Sequence, residues 1–178
     1  MPPLSPHAGH IGLVLPLCTS AATVGLALYQ YPVFLSFLQP DSTGQSIAGK
    51  PLSRFWHPMV KQGRILIASL AASSTIGGAL AARWLQTHIT LETTNVSHWY
   101  IAGTVLAAGH LASLPIVAGP VGRIIKANEK DDTEAEKQNR EEMKTWLTIH
   151  TVRTLAIDLP ALWCFAEGLS QSLWVGPA

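Results

Sequence analysis

The sequence predicts an all-α fold, namely an integral membrane four-helix bundle that forms one domain over residues 1–178. Only 13% of the residues are charged, whereas a typical soluble domain has about 25%. The charges also leave three long gaps, which lie before Asp41, between Arg64 and Arg83, and between Glu92 and Arg123. Each gap is long enough to contain a membrane-spanning helix, which needs about 20 residues.

Four apolar segments are predicted to be the membrane spans: residues 11–31, 63–85, 99–119 and 146–167. In the second span, small residues recur every four positions, with Ser74, Gly78 and Ala82 as one row. Such a row allows close approach of helices and is interpreted as packing. Residues 39–62 and 86–98 are predicted to be loops. The charged stretch 120–145 is predicted to be a solvated helical connection that runs into the fourth span.

The distribution of Lys and Arg predicts the orientation in the membrane. Neither end of the chain carries a basic residue, and nor does the loop 86–98, whereas the loops 32–64 and 120–145 carry four and six. Both long loops are therefore predicted to be cytosolic and both termini lumenal. Asn95-Val96-Ser97 is an N-glycosylation acceptor pattern, and it falls in the loop that is predicted to be lumenal. The Lys and Arg distribution and the acceptor pattern both indicate that this loop is lumenal, so a glycoprotein is expected.

The fourth span carries ionisable residues, which are costly at membrane depth and usually face a bundle interior or a wet cavity. His150, Thr154 and Asp158 are four residues apart in turn, so they share one face of a helix. Trp146 and Arg153 border this row. Arg153 and Asp158 are five residues apart and point in different directions. Each is therefore expected to find a partner on another helix.

Another histidine, His110, lies near the middle of the third span, where it is either an interhelical hydrogen-bonding group or a functional one. The predicted topology places the polar groups of several helices in the cytosolic half of a single bundle. A pocket there would open towards the cytosol or the adjacent leaflet, with the loop 39–62 at its mouth. The groups concerned are Tyr29, Gln30, Lys61, Arg64, His110, His150 and Arg153.

Four spans, a charged third loop and the run Trp146-x3-His150-x2-Arg153-Thr154 resemble the fungal anthrone oxygenases and the wider membrane family around them. An Asn or Trp commonly precedes the His-x2-Arg-Thr run in that family, whereas Thr148 and Ile149 stand there in this chain. The segment from Trp56 to Gly63-Arg64 is a weaker match. The resemblance implies the oxidation of an anthrone to an anthraquinone in polyketide biosynthesis at the endoplasmic reticulum.

The chemistry of an anthrone fits the candidate residues. Removing a proton from its methylene gives an electron-rich anthrolate that reacts with dioxygen, so the protein needs a base, a cation and a flat apolar pocket. His150 or His110 is the predicted base, and His150 is preferred because it shares a helix with Arg153. Arg153, helped by Arg64, would hold the oxyanion. The other predicted substrate-binding residues are Tyr29, Gln30, Trp56, Trp146 and Asp158.

No flavin or nicotinamide fingerprint occurs in the sequence, so dioxygen is the expected co-substrate and no cofactor is expected. The expected partners are an aromatic polyketide and the lipid bilayer. A net charge of +1 gives no indication of nucleic-acid binding. Cys18 and Cys164 are interpreted as small buried thiols.

Two alternatives remain open at the level of sequence. The first is a metal-dependent oxidase that holds iron or copper with His57, His110, His150 and Asp158, although these residues have no tight local spacing. The second is a non-enzymatic membrane scaffold or small transporter, in which His150 and Arg153 only tie helices together.

Overall fold

A computed structural model describes residues 6–40, 47–88 and 94–174, and these residues form helices joined by short connections. The six α-helices are α1 Pro6–Leu38, α2 Lys50–His88, α3 Thr94–Ala112, α4 Leu114–Lys126, α5 Asp132–Arg153 and α6 Leu159–Trp174. A 3-10 turn, Ala127–Glu129, joins α4 to α5, and a π-helical turn, Thr154–Asp158, joins α5 to α6. No strand is assigned within the described ranges, so the fold is all-α as predicted.

Three stretches are long and apolar enough to cross a membrane: Ile11–Leu38, Lys50–Thr87 and Val96–Glu129. They contain the first three predicted spans. The fourth predicted span is not among them within the described residues, since its ionisable side chains lower its hydropathy. Large apolar side chains are exposed along α2, including Ile65, Leu66, Ile76 and Leu80. Such a surface suits contact with lipid, so the chain is the all-α membrane protein that the sequence predicts.

The helix α2 begins at Lys50, so the prediction of a loop over residues 39–62 is wrong in its second half. Pro51 lies in the first helical turn, where the missing N–H would have had no intrahelical acceptor. Leu52 and Trp56 are four residues apart and both are buried. They form an inward helical face. The high Pro, Ser and Gly content of the segment led to the prediction of a loop instead.

The third predicted span, 99–119, is divided between α3 and α4 at Ser113. The carbonyl of Ser113 accepts hydrogen bonds from the backbone of Ile116 and Val117, at 3.1 and 3.3 Å. Pro115 has no N–H to continue the ladder of α3 but suits the first turn of a new helix. The first seven residues of the predicted connection 120–145 consequently belong to α4.

The predicted loop 86–98 is shorter than expected, because α2 reaches His88 and α3 begins at Thr94. The remainder of that loop, residues 89–93, lies outside the described residues. Asn95 falls in the first turn of α3, and its side chain lies outside the described ones. Glycosylation and the orientation of the termini stay predictions.

The chain divides into two compact units. The first comprises Met1–Val24, Ala68–Ala112 and Thr154–Ala178, and the second comprises Gly25–Ile67 and Ser113–Arg153. The first unit contains parts of α1 and α2 together with α3 and α6. The second contains the other parts of α1 and α2 together with α4 and α5. Four helical segments are therefore present within each unit, and the single domain over residues 1–178 stays a prediction.

The first unit is packed around Phe165 and Tyr100, which are both fully buried. Glycines on α2 and α3 make room for the Phe165 ring, since a Cβ added at Gly78 or Gly103 would lie 2.7 Å from its Cε1 atom. The Tyr100 hydroxyl donates to the carbonyl of Leu13 at 3.0 Å. The small residues of the second span therefore serve close packing, as the sequence predicts.

The second unit has an aromatic core in which Phe34, Trp56 and Trp146 are buried with Leu52, Ile124, Met143 and Leu147. The amide of Asn139 donates to the carbonyl of Gly49 at 2.8 Å and to Ser53 Oγ at 2.9 Å. These bonds fix α5 against the start of α2, and through this contact they position the part of α5 that carries Trp146, His150 and Arg153.

Candidate active site

The first cluster of candidate residues is a buried pair in the first unit. His110 Nδ1 on α3 lies 2.8 Å from Asp158 Oδ1 in the π-helical turn. The two residues are only 1% and 3% exposed. The prediction that Asp158 finds its partner on another helix is therefore confirmed, and the partner is the histidine of the third span.

The π-helical turn Thr154–Asp158 accounts for the position of Asp158. Pro160, just after it, has no N–H to donate to the carbonyl of Ala156, so a regular α-helical ladder cannot continue through this point. A π-helical turn is the usual local adjustment and is frequent at functional sites. Thr154 and Asp158 are buried. Among the residues that the structure describes, Thr154 Oγ1 has no hydrogen-bond partner.

A small cavity adjoins the pair of His110 and Asp158. Its volume is about 10 Å³, which is roughly the room that one water molecule needs. Its lining is Ser20, Thr23, Ala71, Ser74, Ala107, His110, Asp158 and Ala161. Ser74 was interpreted as packing only, yet it lines the cavity, and its Oγ lies 2.8 Å from Thr19 Oγ1. The small volume suits a water molecule or a reactant of similar size, and the lining includes hydroxyl, imidazole and carboxylate groups that could bind it.

The second cluster lies in the second unit and centres on His150, which is 1% exposed. Its Nε2 is 3.0 Å from the carbonyl oxygen of Ala27, and its Nδ1 is 3.0 Å from Arg153 Nη2. A carbonyl only accepts hydrogen bonds and a guanidinium only donates them. The two contacts together therefore define a neutral imidazole with its proton on Nε2.

Aromatic rings enclose His150. Its ring stacks on Trp146, with centroids 4.7 Å apart and planes at 10°, and the ring of Tyr31 lies 5.2 Å away. The Tyr31 hydroxyl donates to Thr151 Oγ1 at 2.7 Å. Trp146 also contacts Phe34 and Trp56, at centroid distances of 4.8 and 5.2 Å. The structure thus brings Trp56, Trp146, His150 and Arg153 into one cluster and adds Tyr31 and Phe34.

Other predicted residues lie elsewhere on the second unit. Tyr29 is 68% exposed, because it lies on a different face of α1 from Tyr31. Arg64 is exposed and Gln30 is half-buried. Substrate contacts for these three residues stay predictions. A single pocket shared by His110, His150 and Arg153 also stays a prediction, since His110 belongs to the first unit and the other two to the second.

The metal alternative, with His57, His110, His150 and Asp158 as ligands, stays a prediction. Within the described ranges, no three side chains of His, Cys, Asp or Glu are grouped so that they could hold a metal ion. His57, one of the proposed ligands, is exposed.

Cys164 is buried, but Cys18 is exposed on α1, so the prediction of two buried thiols is wrong for Cys18. Neither cysteine is in a disulfide.

Fold and site together define an α-helical membrane protein with buried, hydrogen-bonded ionisable groups, and comparison with known proteins gives its family. The chain is 30% identical over 158 residues to epoxidase gkaX of Penicillium citrinum, over 85% of this chain and 88% of that protein. It is 26% identical over 160 residues to probable epoxidase scpX of Mollisia scopiformis (90% and 94% covered). It is 23% identical over 161 residues to epoxidase pydX of Acremonium sp (90% and 93% covered).

The chain therefore belongs to the family of these fungal epoxidases. No protein-family model and no solved structure matches it. Membership of a fungal family of oxidative enzymes agrees with the resemblance drawn from the sequence. Anthrone oxygenation in particular stays a prediction.

Proposed function

We propose that the protein is a membrane oxygenase of fungal secondary metabolism that converts an anthrone-type aromatic polyketide to an anthraquinone with dioxygen. The observation that carries the proposal is the buried contact of 2.8 Å between His110 and Asp158 beside a small cavity. Ionisable groups at such a depth are costly and usually functional. The family of oxidative enzymes to which the chain belongs supports the same class of function.

The hydrogen bonds favour His110 over His150 as the base. A carboxylate only accepts, so Nδ1–H of His110 donates to Asp158 and the lone pair of the neutral ring lies on Nε2. Asp158 then orients the ring and stabilises the imidazolium that forms when Nε2 takes a proton. The lone pair of His150, by contrast, accepts from Arg153. We therefore propose His110 as the base, in place of His150, which was preferred from the sequence.

The proposed reaction needs no external electron donor. His110 takes one methylene proton, and the resulting anthrolate carbon bonds to dioxygen to give a peroxide at the same position. The imidazolium returns its proton to the peroxide, and loss of the second methylene hydrogen with hydroxide leaves a carbonyl and water. The methylene supplies both electron pairs, so anthrone and dioxygen give anthraquinone and water.

The cavity beside His110 is too small to hold the proposed substrate. A volume of about 10 Å³ accommodates one water molecule or a reactant of similar size, and a tricyclic anthrone does not fit. In the proposed reaction the helices around His110 therefore move to admit the substrate. Substrate contacts of Trp56, Trp146, Tyr29, Gln30 and Arg64 stay predictions from the sequence.

Epoxidation is the second candidate, and the names of the relatives favour it. An epoxidase that uses dioxygen places one oxygen atom on a carbon–carbon double bond and reduces the other to water. That reaction consumes two electrons and two protons from a donor. The two candidates therefore differ in whether a reductant is needed.

Oxygen uptake with 1,8-dihydroxyanthrone as the only added substrate separates these functions. We expect equimolar uptake of oxygen, formation of 1,8-dihydroxyanthraquinone, and no dependence on a reductant. Heat-denatured protein serves as the control for spontaneous oxidation. Uptake that requires a reductant and yields an epoxide from an alkene substrate would favour the second candidate. Activity that disappears with a chelator and returns with iron or copper would indicate the metal oxidase, and no activity of either kind would favour the scaffold or transporter.

The proposed location is the membrane of the endoplasmic reticulum, with both termini lumenal. The motivation is the clustering of Lys and Arg in the stretches 32–64 and 120–145, which positive-inside statistics place in the cytosol. Protease added to sealed microsomes should cleave within residues 126–144. Microsomes opened with detergent give the positive control. Protection of this segment in sealed vesicles would reverse the orientation.

A further inference from the structure

The cavity beside His110 lies deep in the first unit and has mainly apolar walls. Its lining residues come from α1, α2, α3, the π-helical turn and α6, and each of them is at most 6% exposed. Three of them are alanines on three different helices, namely Ala71, Ala107 and Ala161. Because these side chains are short, they leave a space next to the buried pair that a larger side chain would fill.

We propose that this cavity binds dioxygen, and that Ala71, Ala107 and Ala161 keep it open. The ligand is a small, uncharged and apolar diatomic molecule. The inference rests on the proposed function in one respect, namely that dioxygen is the oxidant, and it adds where that molecule is held. An epoxidase that uses dioxygen would need the same kind of site.

The hydroxyl groups of the lining favour an apolar occupant over water. The Thr23 hydroxyl donates to the carbonyl of Thr19 at 2.9 Å, and the Ser74 hydroxyl donates to the carbonyl of Leu70 at 3.1 Å. Both O–H groups are therefore engaged within their own helices. An ordered water in a buried site needs about two to four polar partners, whereas dioxygen needs none. The mainly apolar lining thus suits dioxygen better than water.

The volume of the cavity also fits this ligand. A space of about 10 Å³ is roughly the room that one water molecule needs. Dioxygen consists of two small atoms joined by a short bond, so it is only slightly longer than water. Larger ligands, such as a phosphate or an organic acid, do not fit. The size of the space therefore selects for a molecule of the size of dioxygen.

The cavity adjoins the group that the proposed reaction uses twice. His110 is part of its wall, so a carbanion that His110 generates forms beside a molecule held there. The electron pair of the carbanion makes the new carbon–oxygen bond, and the double bond of dioxygen becomes a single bond. The terminal oxygen, now negative, takes the proton from the imidazolium. A dioxygen site in this position explains how one histidine both removes the methylene proton and protonates the peroxide.

Paramagnetic broadening by dissolved oxygen tests the site directly, because dioxygen broadens the NMR signals of the nuclei that it contacts. The probe is oxygen gas, and the sample is the full chain in detergent micelles with ¹³C-labelled alanine methyl groups. We expect the signals of Ala71, Ala107 and Ala161 to broaden under oxygen and to recover under argon. Ala81 and Ala82 are the matched controls, because they are buried in the core of the same unit and do not line the cavity. Their signals should broaden far less.

A variant that fills the cavity tests its use in turnover. Ala107→Val adds side-chain carbons at the cavity wall, so kcat/KM for dioxygen should fall by about tenfold or more, as a change of one methylene in a fitted pocket can cause. Deuterium exchange at the anthrone methylene under argon should change far less, because proton removal precedes the reaction with dioxygen. Ala161→Val is a second variant with the same expectation. Ala81→Val is the matched control, and it should keep the wild-type kcat/KM for dioxygen.

Two results would overturn the assignment: methyl signals of the three cavity alanines that broaden no more than those of Ala81 and Ala82, or an unchanged kcat/KM for dioxygen in folded Ala107→Val and Ala161→Val. Magnetisation transfer from water to these methyl groups, without broadening under oxygen, would mean that the cavity holds water instead. If neither variant folds, the wild-type methyl signals still decide.

The methyl signals need no turnover, so the site and the proposed function can fail separately. Broadening at the cavity without oxidation of an anthrone would contradict the proposed function and leave the dioxygen site standing. Oxidation of an anthrone without broadening at the cavity would contradict the dioxygen site alone.

Discussion

Replacing His110 by Asn should lower the turnover of an anthrone by about 10²–10⁴-fold, which is the usual contribution of a general base. The amide Nδ2 of Asn falls near the position of Nδ1 and can still donate to Asp158, so the buried carboxylate keeps a partner. The amide cannot take a proton at the position of Nε2. The loss is therefore expected in kcat, while the melting temperature changes little. Oxygen uptake and thermal unfolding of the same preparation measure the two quantities.

His57→Asn is the matched control for this experiment. His57 is exposed on α2, so its replacement should leave both turnover and folding unchanged. Equal turnover in wild type and His110→Asn would remove His110 from the mechanism. Loss of turnover in His57→Asn to the same extent would instead point to the metal alternative, in which both histidines were proposed as ligands.

The second large effect is expected at Asp158. Asp158→Ala removes the acceptor of a buried Nδ1–H, which typically costs about 1–3 kcal/mol of stability, and it also leaves the base without orientation. Asp158→Asn retains an acceptor oxygen of similar shape but loses the negative charge that stabilises the imidazolium. We expect Asn to keep most of the stability and to lose part of the general-base contribution of about 10²–10⁴-fold.

Thermal unfolding, folded yield and kcat of the two variants together test this role. A purely structural Asp158 would lower stability in both variants without a fall in kcat of the folded fraction. If both variants leave yield and turnover unchanged, the carboxylate contributes to neither folding nor catalysis.

The sequence predicted the polar face of the fourth helix well. His150, Thr154 and Asp158 are all buried, as their four-residue spacing indicates, and Asp158 finds its partner on another helix. The spacing did not predict that Thr154 and Asp158 lie in a π-helical turn, because it assumes the regular α-helical period throughout. It also did not predict that the two histidines fall in different compact units.

Ser20 and Thr23, whose hydroxyl groups line the cavity beside His110, were not identified from the sequence. The helix α1 is apolar on all sides, so no face stands out in its sequence. Ser20, Thr23 and Ala27 recur at i, i+3 and i+7, and all three are buried. This row of small and weakly polar residues, in a span without charges, is the feature of the sequence that could have indicated a buried polar face on α1. Similarly, Pro51 falls in the segment 39–62 that was predicted to be a loop, whereas it lies in the first turn of α2.

The roles of the two histidines could not be separated from the sequence, because both are intramembrane histidines with a polar neighbour. Only the positions of the hydrogen-bond partners distinguish them. Asp158 accepts from His110 and leaves the lone pair on Nε2, whereas Arg153 donates to the lone pair of His150. The first arrangement suits proton transfer, and the second suits the orientation of a cation.

Deuterium exchange at the anthrone methylene, measured without oxygen, tests the central claim most directly. The wild-type protein in deuterated buffer under argon should incorporate deuterium at the methylene carbon faster than the spontaneous rate, since proton removal precedes the reaction with dioxygen. His110→Asn should exchange at the spontaneous rate, and His57→Asn at the wild-type rate. Exchange by His110→Asn that equals the wild type, or wild-type exchange no faster than buffer alone, would contradict the assignment of His110 as the base.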